Sequence, residues 1–181
     1  LSKAWEGRLA PTLGALQVVE NPLEPLPEAN HVHREQHHLL LLARKDPIKG
    51  HGFAVEVAKE LRKTFPDLKL TMTGESQSEH AWVDAKGWVS QDEKASLIAR
   101  SSLLLLPSAF EGQPVAALEA LSGGLPVCVS DRVVGLPDTV RQAPWGDVDA
   151  WTITVRDMLT NPQDEPKLRS SVAELSLIHI S

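Results

Sequence analysis

The chain has 181 residues, 42% of them apolar, a formal net charge of −6 and one cysteine. That length fits one domain, or one domain with a piece of another, and is enough to bury a proper core. The acidic balance argues against general affinity for nucleic-acid backbone, Cys128 has no internal disulfide partner, and no run approaches the ~18–20 apolar residues that span a bilayer.

The opening "LSKAWEGRLAPTLG" lacks the charged-then-apolar order of a secretory signal, so a reducing cytoplasm is the expected compartment. "LSKAWEGRLAPTLGAL" reads as the last helix of a preceding domain, and "VVENPLEPLPEAN", rich in prolines and acids, as a linker. Residues 1–30 are thus expected to be a domain remnant and a junction. The apolar run "HLLLLA" (38–43) predicts a strand covered on both faces. "HGFAVEVAKELRKTF" (51–65) carries Phe53, Val57 and Leu61 at helical spacing, with Pro66 as a stop. "LKLTMTG" (68–74) predicts the next strand, and "KGWVS" (86–90) a short one. Ser90 and Glu93 fit a capping box that opens the helix "QDEKASLIARS".

"SLLLLPS" (102–108) predicts another buried strand, and "PVAALEALSG" (114–123) a helix with proline in its first turn and glycines at its end. "PVCVSD" (126–131) reads as a further strand, and helical stretches follow at about 147–160 and 165–175. The terminal "SLIHIS" (176–181) continues no amphipathic pattern and resembles translated adaptor sequence, a non-native tail. Alternating strands and helices predict an α/β domain over 31–175, with a Rossmann-like parallel sheet and helices on both faces. Ligands of such sheets gather at the carboxyl ends of the strands, here "ARKDPIKG", "TGES", "PSAFEGQP" and "SDRVVG".

Two groups of residues at those ends can carry chemistry. Arg44 and Lys49 flank a strand-to-helix turn, where a planar fork and a point charge suit phosphate oxygens. A solvated basic turn is the other reading, and the spacing is not that of a P-loop. Glu111 lies in a loop and Glu119 inside the following helix, so the two acids need not share a helix face. A carboxylate accepts two hydrogen bonds from neighbouring sugar hydroxyls. The backbone of Gly112, Gln113 and Val115 sits near the helix start, where the dipole favours a diphosphate. Two surface acids are the alternative, but Glu119 interrupts an otherwise core-facing apolar segment. The histidines of "HVHREQHH" match no standard zinc spacing, His51 reads as a helix-start histidine, Cys128 as an inert core thiol, and Trp145 and Trp151 as packing.

"EGQPVAALEA" resembles the E-x7-E signature of retaining GT-B glycosyltransferases, family 4 (group 1). The surrounding segments resemble the same family in the same order over residues 17–160: "VVENPLEP", "LLLLARKDPIKG", "LKLTMTGES", "KGWVSQDEKASLIARSSLLLLPS" and "EALSGGLPVCVSD". The resemblance implies the C-terminal, donor-binding half of a GT-B fold that holds a UDP- or GDP-sugar and requires no cofactor or metal. It implies that Arg44 and Lys49 neutralise the diphosphate, Glu119 binds the ribose, and Glu111 contacts the sugar. It further implies that the backbone of Gly112, Gln113, Pro114 and Val115 faces sugar and phosphate, and that Trp88 and Val89 border the nucleobase. On that reading Arg44, Lys49 and Glu111 serve catalysis.

The acceptor, a sugar or lipid-linked glycan, belongs to an N-terminal domain, and the full enzyme would act in polysaccharide assembly with peripheral membrane association. Only the last residues of that domain and the linker are expected here, and the segment after "GLPDTVRQAP" is also shorter than the family pattern, so the chain is expected to bind nucleotide but be inactive alone. A silent nucleotide-binding module and a sugar-nucleotide epimerase are the alternatives. A two-carboxylate hydrolase would leave Arg44 and Lys49 without a role.

Overall fold

A computed structural model describes residues 3–13, 33–112 and 114–177. The expected linker, Gln113 and residues 178–181 of the expected tail lie outside the described residues. The N-terminal segment forms a helix, α1 (Lys3–Leu13). The remainder alternates: β1 (His38–Leu41), α2 (His51–Leu61), β2 (Lys69–Thr73), β3 (Val83–Gly87), α3 (Gln91–Arg100) and β4 (Leu103–Leu106). It continues with α4 (Val115–Ser122), β5 (Val127–Ser130), β6 (Arg141–Ala143), α5 (Val148–Thr160) and α6 (Glu165–Leu177).

The strands form one sheet in the order β3-β2-β1-β4-β5-β6, and every pairing is parallel. Successive strand residues point to opposite faces. Leu39, Leu41, Leu70, Met72, Leu103, Leu105 and Cys128 therefore pack with residues of α2 and α5 on one side. Leu40, Leu42, Leu104, Leu106, Val127 and Val129 pack with α3, α4 and α6 on the other. Burying each such leucine contributes about 1.5–3 kcal/mol, so the continuous apolar runs read in the sequence are the two-sided core itself. Cys128 is fully buried in that core, and burial pushes its thiol pKa up to about 12, as an inert thiol requires. Trp151 is also fully buried, edge-on to Phe53, whereas Trp145 is half exposed and lies under the Arg132 guanidinium at 3.8 Å.

Four sequence expectations change. The strand expected at 86–90 is β3 (Val83–Gly87), which starts earlier, and Trp88 to Ser90 form the loop into α3. Its pattern, with Val83 buried and Asp84 exposed, is that of an edge strand, which has no long apolar run to announce it. The other edge, β6, has no counterpart among the sequence expectations. Its residues Arg141 and Gln142 are exposed and only Ala143 is buried. Third, α2 ends at Leu61 rather than 65: the Arg62 N–H closes back on the Ala58 carbonyl, and Lys63 and Thr64 turn the chain toward β2. The capping box is half formed. Ser90 Oγ accepts from the Glu93 N–H at 3.2 Å, but the Glu93 carboxylate faces Lys86 at 3.6 Å.

Arg34, just ahead of β1, fastens the helix ends on one side of the sheet. Its guanidinium donates to the carbonyls of Ile98, Ala99, Ser101 and Gly123 at 2.8–3.1 Å and pairs with Glu165 at 2.8 Å. A cation at the C-terminal ends of α3 and α4 both satisfies their last carbonyls and complements their dipoles. The neighbouring histidines have separate tasks. His37 faces Asp67 at 2.9 Å, while buried His38 meets Thr71 Oγ1 at 2.8 Å and is held below the ordinary histidine range by its burial.

Candidate functional site

With this strand order, the connections from β1 and β4 depart in opposite directions, leaving a crevice at the carboxyl ends of those strands. The crevice is a cleft of about 800 Å³. One wall is the segment after β1, carrying Arg44, Ile48 and Lys49; the other is the loop after β4, carrying Phe110, Glu111 and Gly112, with Pro114 and Val115 leading into α4. Trp88, Val89, Ser90, Gln91 and Lys94 close the side toward β3, and Glu119 completes the lining.

Each wall is set by local chemistry. Asp46 opens a short 3-10 turn (Pro47–Lys49) by accepting the Ile48 N–H at 3.1 Å, and the turn ends at Gly50 in the left-handed region, φ 75°. A side chain at Gly50 would place its Cβ 2.9 Å from the Pro107 carbonyl, so glycine permits the turn to lie against the β4 loop. The Ala109 N–H then donates to the Ile48 carbonyl at 2.8 Å, fixing one wall to the other. Ser130 Oγ donates to the Ser108 carbonyl at 2.6 Å, which ties the end of β5 to the same loop.

These ties bring the charged groups together in pairs. Lys49 Nζ lies 2.8 and 2.9 Å from the two Glu111 oxygens, and Ser108 Oγ donates to Glu111 Oε1 at 2.7 Å. Lys94 Nζ lies 2.5 Å from Glu119 Oε1. Both acids are buried, each 8% exposed, so neither is an ordinary surface acid. Arg44 differs: its side chain is exposed and meets Asp46 at 3.3 Å, which leaves it free to swing toward a ligand. α4 begins at Val115, after Pro114 as an N-cap without a side-chain cap bond, and the amides of Val115 and Ala116 precede its first bond, Ala117 N–H to the Pro114 carbonyl at 3.0 Å. Uncapped amides at a helix start favour an anion.

All of the sequence-derived site residues that the structure describes therefore line one cleft: Arg44, Lys49, Trp88, Val89, Glu111, Gly112, Pro114, Val115 and Glu119. His51 is instead a buried core residue at the start of α2, bonded through Nε2 to the Thr73 carbonyl at 2.8 Å. Sequence reasoning missed Lys94. The signal was present: Lys94 stands three and four positions before Leu97 and Ile98, so it shares the buried stripe of α3. A lysine there and Glu119 on the inward stripe of α4 are an internal pair.

A protein-family model described as "Glycosyl transferases group 1" matches residues 36–175. The chain belongs to that family. It is 28% identical over 142 residues to glycogen synthase of Mycobacterium tuberculosis, covering 68% of its own length and 34% of the relative's. It is also 28% identical over 172 residues to the GDP-mannose-dependent alpha-(1-6)-phosphatidylinositol monomannoside mannosyltransferase of Mycolicibacterium smegmatis, covering 77% of this chain and 44% of that protein. The chain thus spans about a third to under half of these relatives. Among solved structures, it matches a point mutant of S. aureus TarM, determined in complex with Fondaparinux, alpha-GlcNAc-glycerol and UDP. The TM-score is 0.80 at 15% identity, over 100% of this chain and 40% of that one. The fold of the chain is therefore that of the C-terminal, Rossmann-like half of a GT-B glycosyltransferase. Among the described residues, no helix is long and apolar enough to cross a membrane.

Proposed function

We propose that the cleft binds a nucleoside-diphosphate sugar and that this chain is the donor-binding part of a retaining family 4 glycosyltransferase. The observation that carries the reading is the placement of two buried carboxylates, Glu111 and Glu119, on either side of the uncapped start of α4, with Lys49 and Arg44 across the cleft. Glu119 accepts hydrogen bonds from the ribose hydroxyls, Glu111 from the sugar, and the diphosphate lies between them. The backbone at Trp88 and Val89 borders the base. One relative and one structural neighbour support the class of donor: the first is named for GDP-mannose, and the TarM structure was determined with UDP.

As the bond from sugar to diphosphate breaks, negative charge grows on the departing nucleotide. Lys49, Arg44 and the amides of Val115 and Ala116 stabilise that charge more strongly in the transition state than in the bound donor. These positive groups, Lys49 and the amides held in place and Arg44 swinging in, supply the charge on which a metal-independent departure depends. Retention follows from attack on the face the diphosphate leaves, with Glu111 aiding by its charge. The acceptor, a sugar or lipid-linked glycan in polysaccharide assembly, is bound by a further domain of the full enzyme at the cytoplasmic membrane surface, and this chain alone catalyses no transfer.

Calorimetric titration with UDP, GDP and ADP tests the reading. At least one nucleotide is expected to bind with an affinity of about −5 to −8 kcal/mol. No measurable binding of any of the three overturns it.

A further inference from the structure

We infer that Trp5 of α1 is a positioning residue for the Glu111 loop, holding the sugar-contacting carboxylate in register with the cleft. The inference rests on the reading that the cleft binds a nucleotide sugar. The Trp5 indole N–H donates to the Glu111 backbone carbonyl at 2.8 Å, across 106 positions of sequence. The same indole packs against Phe110, with ring centroids 4.8 Å apart and planes tilted by 52°. Phe110 and Glu111 both line the cleft.

The loop needs such a support. Glu111 is held at its side chain by Ser108 and Lys49, but these grip only the carboxylate. Upstream, the Ala109 N–H fixes the loop to the Ile48 carbonyl; downstream, glycine at 112 leaves the backbone permissive. Between these points, the Trp5 hydrogen bond fixes the Glu111 peptide plane, and the ring contact limits the swing of half-exposed Phe110. When a sugar hydroxyl competes with Lys49 for the carboxylate, a loop already fixed at its backbone keeps Glu111 in place. A free loop must be ordered at the moment of binding, which weakens that binding. Because Trp5 belongs to α1, the position of that helix is coupled to how firmly the sugar is gripped.

The test compares UDP with UDP-glucose, and GDP with GDP-mannose, in the wild-type chain and in Trp5→Phe and Trp5→Ala. Trp5→Phe keeps an aromatic ring beside Phe110 and removes the N–H donor. In the wild type, at least one nucleotide sugar is expected to bind more tightly than its nucleotide. In both variants this advantage should fall about five-fold, with affinity for the bare nucleotide unchanged within about two-fold. Amide exchange at Phe110 to Gly112 should quicken in parallel. An unchanged sugar advantage, a parallel weakening of nucleotide and nucleotide sugar, or a wild type that binds no nucleotide sugar more tightly than its nucleotide, overturns the inference while leaving the cleft assignment standing. Failure of the wild type to bind any of the four ligands overturns both.

Discussion

Gly74→Ala is expected to lower the melting temperature by about 10 °C and to disturb the Arg44 wall of the cleft. Gly74 follows β2 with φ 83°, in the left-handed region. A Cβ there would sit 2.5 Å from both the Ala43 carbonyl oxygen and the Lys45 nitrogen, and 2.6 Å from the Arg44 carbonyl carbon. All three are backbone atoms, so no side chain can rotate away to make room. The left-handed conformation costs about 1–2 kcal/mol for a residue with a Cβ, and overpacking adds about 1–3. A sum near 4 kcal/mol converts to roughly 8–16 °C for a chain of this size. Thermal denaturation followed by circular dichroism checks this, and a shift under about 2 °C would show that the segment after β1 is not clamped as described. The clamp also includes Thr73, whose Oγ1 receives the Ala43 N–H at 2.9 Å and reaches the Ala43 carbonyl at 3.0 Å.

Glu119→Ala is expected to weaken nucleotide binding about 30-fold or more while the chain remains folded. A carboxylate holding two ribose hydroxyls contributes charge-assisted hydrogen bonds whose net worth, after exchange with water, is about 1.5–3 kcal/mol each, so the loss of even one sets a lower bound. A net loss of about 2 kcal/mol corresponds to roughly that 30-fold change. The same substitution strips Lys94 of its partner at 2.5 Å, and Lys94 is mostly buried, so some stability is lost as well. Titration of the variant with UDP and GDP measures the first effect and thermal denaturation the second. Equal affinity in variant and wild type would remove Glu119 from the binding site.

The legible parts of this fold are those in which one physical demand dominates a segment. A strand buried on both faces must be apolar throughout, so β1, β4 and β5 announce themselves, as do helices with capped starts and glycine ends. The edge strands β3 and β6 are harder to place because one side of each faces solvent, and Asp84, Arg141 and Gln142 look like loop residues. The candidate site is legible because its residues lie at strand ends and helix starts, where sequence position fixes spatial position. Its pairing is not. That Lys49 meets Glu111, and Lys94 Glu119, depends on how distant segments lie side by side, which no local pattern encodes. Trp5 is beyond reach for the same reason, since its partner is 106 positions away.

A crystal structure of the chain with UDP or GDP bound tests the donor-site assignment most directly. The diphosphate is expected against Lys49, Arg44 and the start of α4, with the ribose hydroxyls within hydrogen-bond distance of the Glu119 carboxylate. A nucleotide bound elsewhere, or bound in the cleft with its ribose remote from Glu119, would contradict that assignment.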